Sequence, residues 1–291
     1  MNRAALNQPS RPNADSAAPA HRTTIRPPSR TPGLGLAEFW RLLPICLVLT
    51  KRNLMVRYRQ TLVGAAWALL QPLLLMAVFT VFFGLLARIP SEHLPYPVFF
   101  LIGLVPWQMA SKILTEGSTS VVNNAVLVTR VYLPRAYFPT SVALASLVDL
   151  VLATFALAIL LGLYGIIPGP LVLLAPLFFA IAWLTSLGIA YWLSALNVAF
   201  RDITQLLPFL AQLWMFASPI IYPSSLVPEA YRLIYFLNPL ALVIEGLRWS
   251  VSGAAPPPLD AWVVSSAVAL ILFVTGYMFF RQREATFSDV I

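Results

Sequence analysis

The run Trp67–Ala87, WALLQPLLLMAVFTVFFGLLA, holds no charged residue. At about 1.5 Å per residue it is long enough, as a helix, to cross a hydrocarbon core of about 30 Å. Working outward, Thr140–Leu163 and Leu171–Val198 repeat the pattern, with Asp149 the one charge in the first of them, and Ala261–Phe280 is another such run. Two weaker candidates lie between them. Residues 98–117 carry Lys112 and Glu116, and residues 203–221 carry Gln205, Gln212 and the helix-disturbing Pro208, Ser218 and Pro219. Of the 291 residues 59% are hydrophobic and 10% charged, against about 25% charged in a soluble domain. Mean hydropathy is +0.80. These observations predict an all-α integral membrane protein.

Charge sets the expected orientation. Ten of the nineteen Lys and Arg residues fall in residues 1–65, and the rest of the chain is near neutral. That is an orientation signal rather than a nucleic-acid surface. The basic amino end and Arg281-Gln282-Arg283 both ask to be cytoplasmic, so the number of crossings is even. Six spans (67–87, 98–117, 140–163, 171–198, 203–221 and 261–280) also place Arg130, Arg135 and Arg201 inside, leaving Arg88, Arg232 and Arg248 outside. Four spans satisfy parity as well; hydrophobicity favours six.

Residues 1–33 hold six prolines and five arginines with little to bury, and read as a disordered cytoplasmic tail. Residues 34–64 read as an amphipathic interfacial helix broken near Pro44. Leu47, Leu54, Tyr58 and Leu62 share one sector, and Arg52, Arg57 and Arg59 lie outside it, facing anionic headgroups. Residues 65–285 form the membrane domain, and 286–291 a second cytoplasmic tail. Asp202 with Gln205 suggests a capping box for the fifth span. Within Tyr222–Asp260, Pro228-Glu229 starts one short helix. Asn238-Pro239 starts another, with Asn238 as its cap and Gly253 as its stop. Both are apolar and too short to cross, and predict a re-entrant outer hairpin between spans five and six.

Covalent chemistry is poorly provided for. The single cysteine, Cys46, excludes an intramolecular disulfide and a cysteine metal cluster. Neither Lys51 nor Lys112 follows a glycine, so no Walker A loop exists. No His/Asp/Ser arrangement suggests hydrolysis, so no catalytic residue, metal or cofactor is expected in this chain.

Several stretches, in order, resemble the ABC-2 permeases that export polysaccharides. They are Val56-Arg57-Tyr58-Arg59-Gln60-Thr61-Leu62-Val63-Gly64 with Trp67 and Gln71-Pro72; Gly103-Leu104-Val105-Pro106-Trp107; and Asn124-Ala125-Val126-Leu127-Val128 through Leu133-Pro134-Arg135. Ser218-Pro219-Ile220-Ile221-Tyr222-Pro223, Asn238-Pro239-Leu240 and Glu245-Gly246-Leu247-Arg248-Trp249 complete the set. The resemblance covers roughly residues 40–285. It implies a six-span homodimeric subunit of the bacterial inner membrane, served by two copies of a separate P-loop ATPase that carries the ATP and Mg. It also implies a lipid-linked glycan as substrate: O-antigen on an undecaprenyl carrier, capsule or teichoic acid.

Candidate sites follow from residues and resemblance together. Asn124, Val126, Leu127, Arg130, Val131, Pro134 and Arg135 form a short apolar helix in a cytoplasmic loop, where the resemblance places the ATPase. Arg52, Arg57 and Arg59 suit either the diphosphate of a lipid carrier or membrane lipid headgroups. Trp107, Trp183, Tyr191, Trp192, Trp214 and Phe216 are candidates to pave a glycan path, against the alternative of an interfacial belt. Pro219, Tyr222, Asn238, Pro239, Glu245 and Arg248 are candidates for an outer gate. Lys112 and Glu116, four apart, are expected to pair. Asp149 is open to two readings: a packing group, or the coupling acid of a proton-driven carrier. An ABC-2 permease for a drug or small lipid is the other alternative.

Overall fold

Backbone amides inside a membrane have no water to bond, so each apolar run closes its hydrogen bonds within itself. The computed structural model describes residues 43–58, 66–131, 133–253 and 255–287, and every regular element among them is helical. α1 (Leu43–Tyr58) precedes α2 (Ala66–Phe79), which passes into a π-helical stretch at Thr80–Leu86. α3 (Tyr96–Lys112), a π-helical turn at Ile113–Gly117 and α4 (Ser118–Asn123) make one continuous rod, followed by the short α5 (Ala125–Arg130). α6 (Tyr137–Leu163) and α7 (Ala175–Ala199) are long; α8 (Ile203–Phe216), α9 (Glu229–Tyr235) and α10 (Pro239–Ser252) are short. α11 (Leu259–Arg283) is again long. The expected disordered tail of residues 1–33, residues 34–42, Arg59 and residues 288–291 lie outside the described residues.

Five stretches are long and apolar enough to cross a membrane: Leu69–Leu86, Tyr96–Asn123, Tyr137–Leu163, Pro170–Ala199 and Leu259–Thr286. The count reaches six when α9 and α10, bent by 107° at their junction, are taken as one span. The two short helices expected between the fifth and sixth spans are therefore present, sharply bent against each other. The segment expected to cross at 203–221 differs. Its helix, α8, has 14 residues, about 21 Å, and stops short of Ser218-Pro219, because proline cannot continue the amide ladder. The second span runs on to Asn123, past the expected end at 117, since Thr115, Ser118, Thr119 and Ser120 are all helical.

Burial separates the spans. Of the apolar stretch of the second span 72% is buried within the chain, against 6% for the first. The second span is the hub, with Val98, Phe99, Phe100, Leu101, Ile102 and Leu104 all sealed. The first leaves its sides to lipid or to another subunit. α7 and α11 make the closest helix pair, because Gly188 faces Gly276. A Cβ on Gly188 would lie 2.6 Å from the Leu272 carbonyl, and one on Gly276 would strike the Gly188 carbonyl oxygen. Small residues allow this approach where lipid offers no hydrophobic drive. Beside it, Tyr191 is buried among Phe273, Tyr277 and Phe280, and its hydroxyl bonds Thr140 at 2.6 Å. Tyr191 is a core residue rather than a path-lining one.

Two local expectations fared differently. Asn238 caps α10 by accepting from the Leu240 amide, and Gly253 ends it at φ +68°, as the sequence implies. Asp202 makes no side-chain cap bond. Its φ and ψ are already helical, because the Ile203 amide bonds back to Phe200, and a capping side chain needs an extended backbone. Replacing Gly276 with Leu should force α7 and α11 apart and destabilise the fold by about 2 kcal/mol or more. A lowered melting temperature of the detergent-purified chain would show it.

Candidate translocation and docking surfaces

α8 ends at a turn, Ser218–Ile221, sealed within the chain, so the carbonyls there need partners from elsewhere. All but one of the partners are side chains marked in the sequence. Asn238 Nδ2 donates to the Ala217 carbonyl at 3.1 Å, and the Tyr222 hydroxyl to that of Phe216 at 2.9 Å. Arg248 Nη2 donates to Ile220 O at 3.1 Å and to Phe99 O at 3.3 Å, and the Tyr96 hydroxyl to Ile221 O at 3.0 Å. Arg248 is 3% exposed, pairs with Glu245 at 3.1 Å, and lies 3.4 Å over the Phe99 ring centroid. Asn238 Oδ1 also accepts from Trp214 Nε1 at 2.9 Å, and its Nδ2 donates to Ser218 Oγ at 2.8 Å. Pro219 is buried in the same turn. Of the six outer-gate candidates, Tyr222, Asn238 and Arg248 thus bond carbonyls on either side of Pro219, Glu245 pairs with Arg248, and Pro239 opens α10 directly after Asn238. Gly103 is required here, since a Cβ would sit 3.1 Å from Ile220 Cα. The contribution of Tyr96 was not foreseen; its place just ahead of a buried helix was the available signal.

The opposite end carries the basic residues. Asp149 takes Arg57 Nη1 at 2.5 Å, Lys112 Nζ at 2.7 Å and the Tyr58 hydroxyl. Arg57 Nη2 reaches Glu116 at 2.5 Å. The expected Lys112–Glu116 pair is therefore replaced by cross-helix pairs, because α1 brings Arg57 between the two carboxylates. Asp149 accepts from donors on two other helices. Burial, then the adjacent Asp149 carboxylate, push the Tyr58 phenol up to about 12, so it remains a donor at neutral pH. α1 seats Cys46, Leu49 and Thr50 inward and leaves Leu47 53% exposed. Arg57 is turned into the chain by its pairs with Asp149 and Glu116.

The loop after the second span is held from both sides. Arg52 Nη2 donates to Asn124 Oδ1 at 2.6 Å, and Asn124 Nδ2 to Ser120 O at 2.7 Å. α5 exposes Val126 and Arg130, with Val131 exposed beyond it, and tucks Leu127 partly inward over a buried Val128. Arg135 is committed within the chain: its amide donates to Glu284 Oε1 at 2.5 Å and its Nη1 to Glu284 O at 2.7 Å. Pro134 precedes it, half-buried, its carbonyl accepting from the Tyr137 amide. Asn53 adds a bond from α1 to Ser141 of α6 at 3.0 Å.

Four of the five leading path candidates serve packing. Trp183 Nε1 donates to Ala143 O at 2.9 Å, and Trp192 stacks on Phe279 at 4.1 Å. Trp214 holds Asn238, and Trp107 is packed against the core. Phe216 is 48% exposed.

A profile of the ABC-2 type transporter family matches residues 45–251. The chain belongs to that family and is a multi-pass membrane permease. It is 29% identical over 257 residues to the O-antigen export system permease protein RfbA of Myxococcus xanthus, covering 87% of this chain and 98% of that one. The RfbA protein of Klebsiella pneumoniae is 26% identical over 259 residues, covering 86% and 96%. The polysialic acid transport protein KpsM of Escherichia coli is 27% identical over 241 residues, covering 80% and 91%.

Two outcomes are expected. Arg248→Lys keeps a charge but loses the planar fork, and should cost about 3 kcal/mol, because carbonyls and Glu245 are left unpaired in a buried site. Thermal unfolding of the purified variant measures it. A double-mutant cycle of Arg57→Met with Asp149→Asn should return a coupling of about 1–2 kcal/mol. Strict additivity would remove the ion pair as a hold on α1.

Proposed function

We propose that this chain is the membrane subunit of an ATP-driven exporter that moves a lipid-linked polysaccharide out of the cytoplasm across the bacterial inner membrane. The observation that carries the reading is near-full-length similarity to permeases named for O-antigen export and polysialic acid transport, on an all-helical fold with five or six apolar spans among the described residues. ABC-2 permeases of exporters normally work with an ATPase subunit, and this sequence has no Walker A loop of its own. α5, with Val126 and Val131 exposed, is the surface for that partner; exposed valines on a short loop helix want an apolar cover. The first span and α8, both poorly covered within one chain, are the faces on which a second copy would close the path. Phe216 is the aromatic left free to meet a sugar face.

In this scheme α1 lies on the cytoplasmic face, where Lys51 is exposed and Arg52 and Arg57 hold the helix in place. A carrier diphosphate meets Lys51 directly and reaches the two arginines only by displacing their present partners. The hairpin of α9 and α10 closes the outer end.

Deleting the gene should leave finished polymer on its lipid carrier in the inner leaflet and strip it from the cell surface. Normal surface glycan would move the reading to a drug or small-lipid permease. Val126→Asp should preserve folding yet reduce co-purification of the ATPase several-fold; unchanged recovery would place the docking surface elsewhere.

A further inference from the structure

α8 leaves much of its surface uncovered, and the uncovered part divides into two arcs. At about 100° per residue, Gln205, Phe209, Gln212 and Phe216 fall within one sector of about 60°. All four are exposed, Phe209 by 59% and Phe216 by 48%. Leu206, Leu210 and Leu213, exposed as well, make a second arc beside it. Leu207, Ala211 and Met215 are the residues of α8 buried against the chain. The helix carries no charge, and neither glutamine side chain finds a hydrogen-bond partner among the described residues.

Two contacts fix the depth of the mixed arc. At the cytoplasmic end Thr204 Oγ1 donates to Asn197 Oδ1 at 2.9 Å, and Asn197 Nδ2 to the Ser118 carbonyl at 3.3 Å. At the outer end Gly103 lies against Ile220, whose Cα a Cβ there would approach to 3.1 Å. Thr204 thus stands near Ser118 and Ile220 at Gly103, so the two segments run antiparallel. Gln212 falls at the level of Ser111, close to the midpoint of the span Tyr96–Asn123. At these levels the second span leaves Gln108, Ser111 and Thr115 partly exposed. An amide turned to hydrocarbon at mid-depth has nothing to bond, so this arc does not suit lipid. The leucine arc does, and it equally suits a second copy.

We propose that the Gln205, Phe209, Gln212 and Phe216 face of α8 is the surface along which the sugar chain passes, an inference that rests on the export reading. An amide both donates and accepts, so each glutamine serves a sugar hydroxyl in either role. The phenylalanine rings between them meet the apolar C–H faces of the sugar rings. Weak contacts repeated along a path let a chain enter and still move on. With no charge on the helix, passage does not depend on the charge of the sugar. The leucine arc is left to close the path against the second copy.

The test places the photo-crosslinker benzoylphenylalanine at single positions of the full chain, expressed in the deletion strain. Irradiation at Phe209 or Gln212 should join the chain to polymer, giving a ladder above the 32.1 kDa chain that stains with periodic acid–Schiff reagent. Leu206, Leu210 and Leu213 should give no such ladder. A discrete band at twice the chain mass from Gln212 would assign this arc to the second copy, and no shift would assign it to lipid; either overturns the proposal. So would a ladder of equal strength from the leucine positions. Gln212→Leu should lower surface polymer roughly threefold at an unchanged chain level, and Gln212→Asn should restore most of it. Equal polymer from both variants and wild type would remove the amide from the path; the crosslinks decide if Gln212→Leu fails to fold. If the export reading is wrong, deletion and wild-type strains carry the same polymer. If only the lining is wrong, deletion strips the polymer while Phe209 and Gln212 yield no ladder.

Discussion

A helix that stops inside an apolar layer leaves carbonyl oxygens that nothing in the solvent can satisfy. α8 makes a like demand, since it stops at a turn, Ser218–Ile221, sealed within the chain, and side chains from other segments answer it. Asn238, Tyr222, Arg248 and Tyr96 each donate to one of the freed carbonyls. They come from the second span and from the two sides of the bent pair, so the turn gathers these elements around itself. A guanidinium is suited to the task because its planar donors reach two carbonyls and a carboxylate at once. Its burial is tolerable because Glu245 and the Phe99 ring lie against it.

The opposite end is organised by charge. One carboxylate, Asp149, draws in Arg57, Lys112 and Tyr58, and so seats the interfacial helix on the spans. The two ends use different chemistry for one purpose: polar groups that water does not reach are paired with each other.

Much of the fold was legible because the membrane limits the choices. Long uncharged runs become helices, and Asn238-Pro239 with Gly253 bounds α10 as written. Sequence reasoning failed where the answer lay in the third dimension. Nothing in the periodicity of residues 43–58 shows that Cys46 and Leu49, rather than Leu47, face inward. The Lys112–Glu116 spacing suggested a pair within one helix, and the stronger partners came from other helices. Trp183 and Trp214, read as path-lining, donate to the Ala143 carbonyl and to Asn238, because an indole N–H inside the chain is best placed on an acceptor. Asn238 and Arg248 stood out in the sequence because asparagine and arginine in an apolar stretch have few uses other than pairing a broken backbone, as both do here.

The Arg135–Glu284 contact has a mechanical side. Glu284 directly follows α11, and near the other end of that helix Ser265 Oγ donates to the Phe236 carbonyl at 2.6 Å, at the joint of the bent pair. A helix scarcely compresses along its axis. The last span is therefore a connecting rod, bolted to the loop that follows the second span at one end and to the hinge of the hairpin at the other. A load placed on the loop has a stiff route, some 30 Å long, to the far side of the membrane.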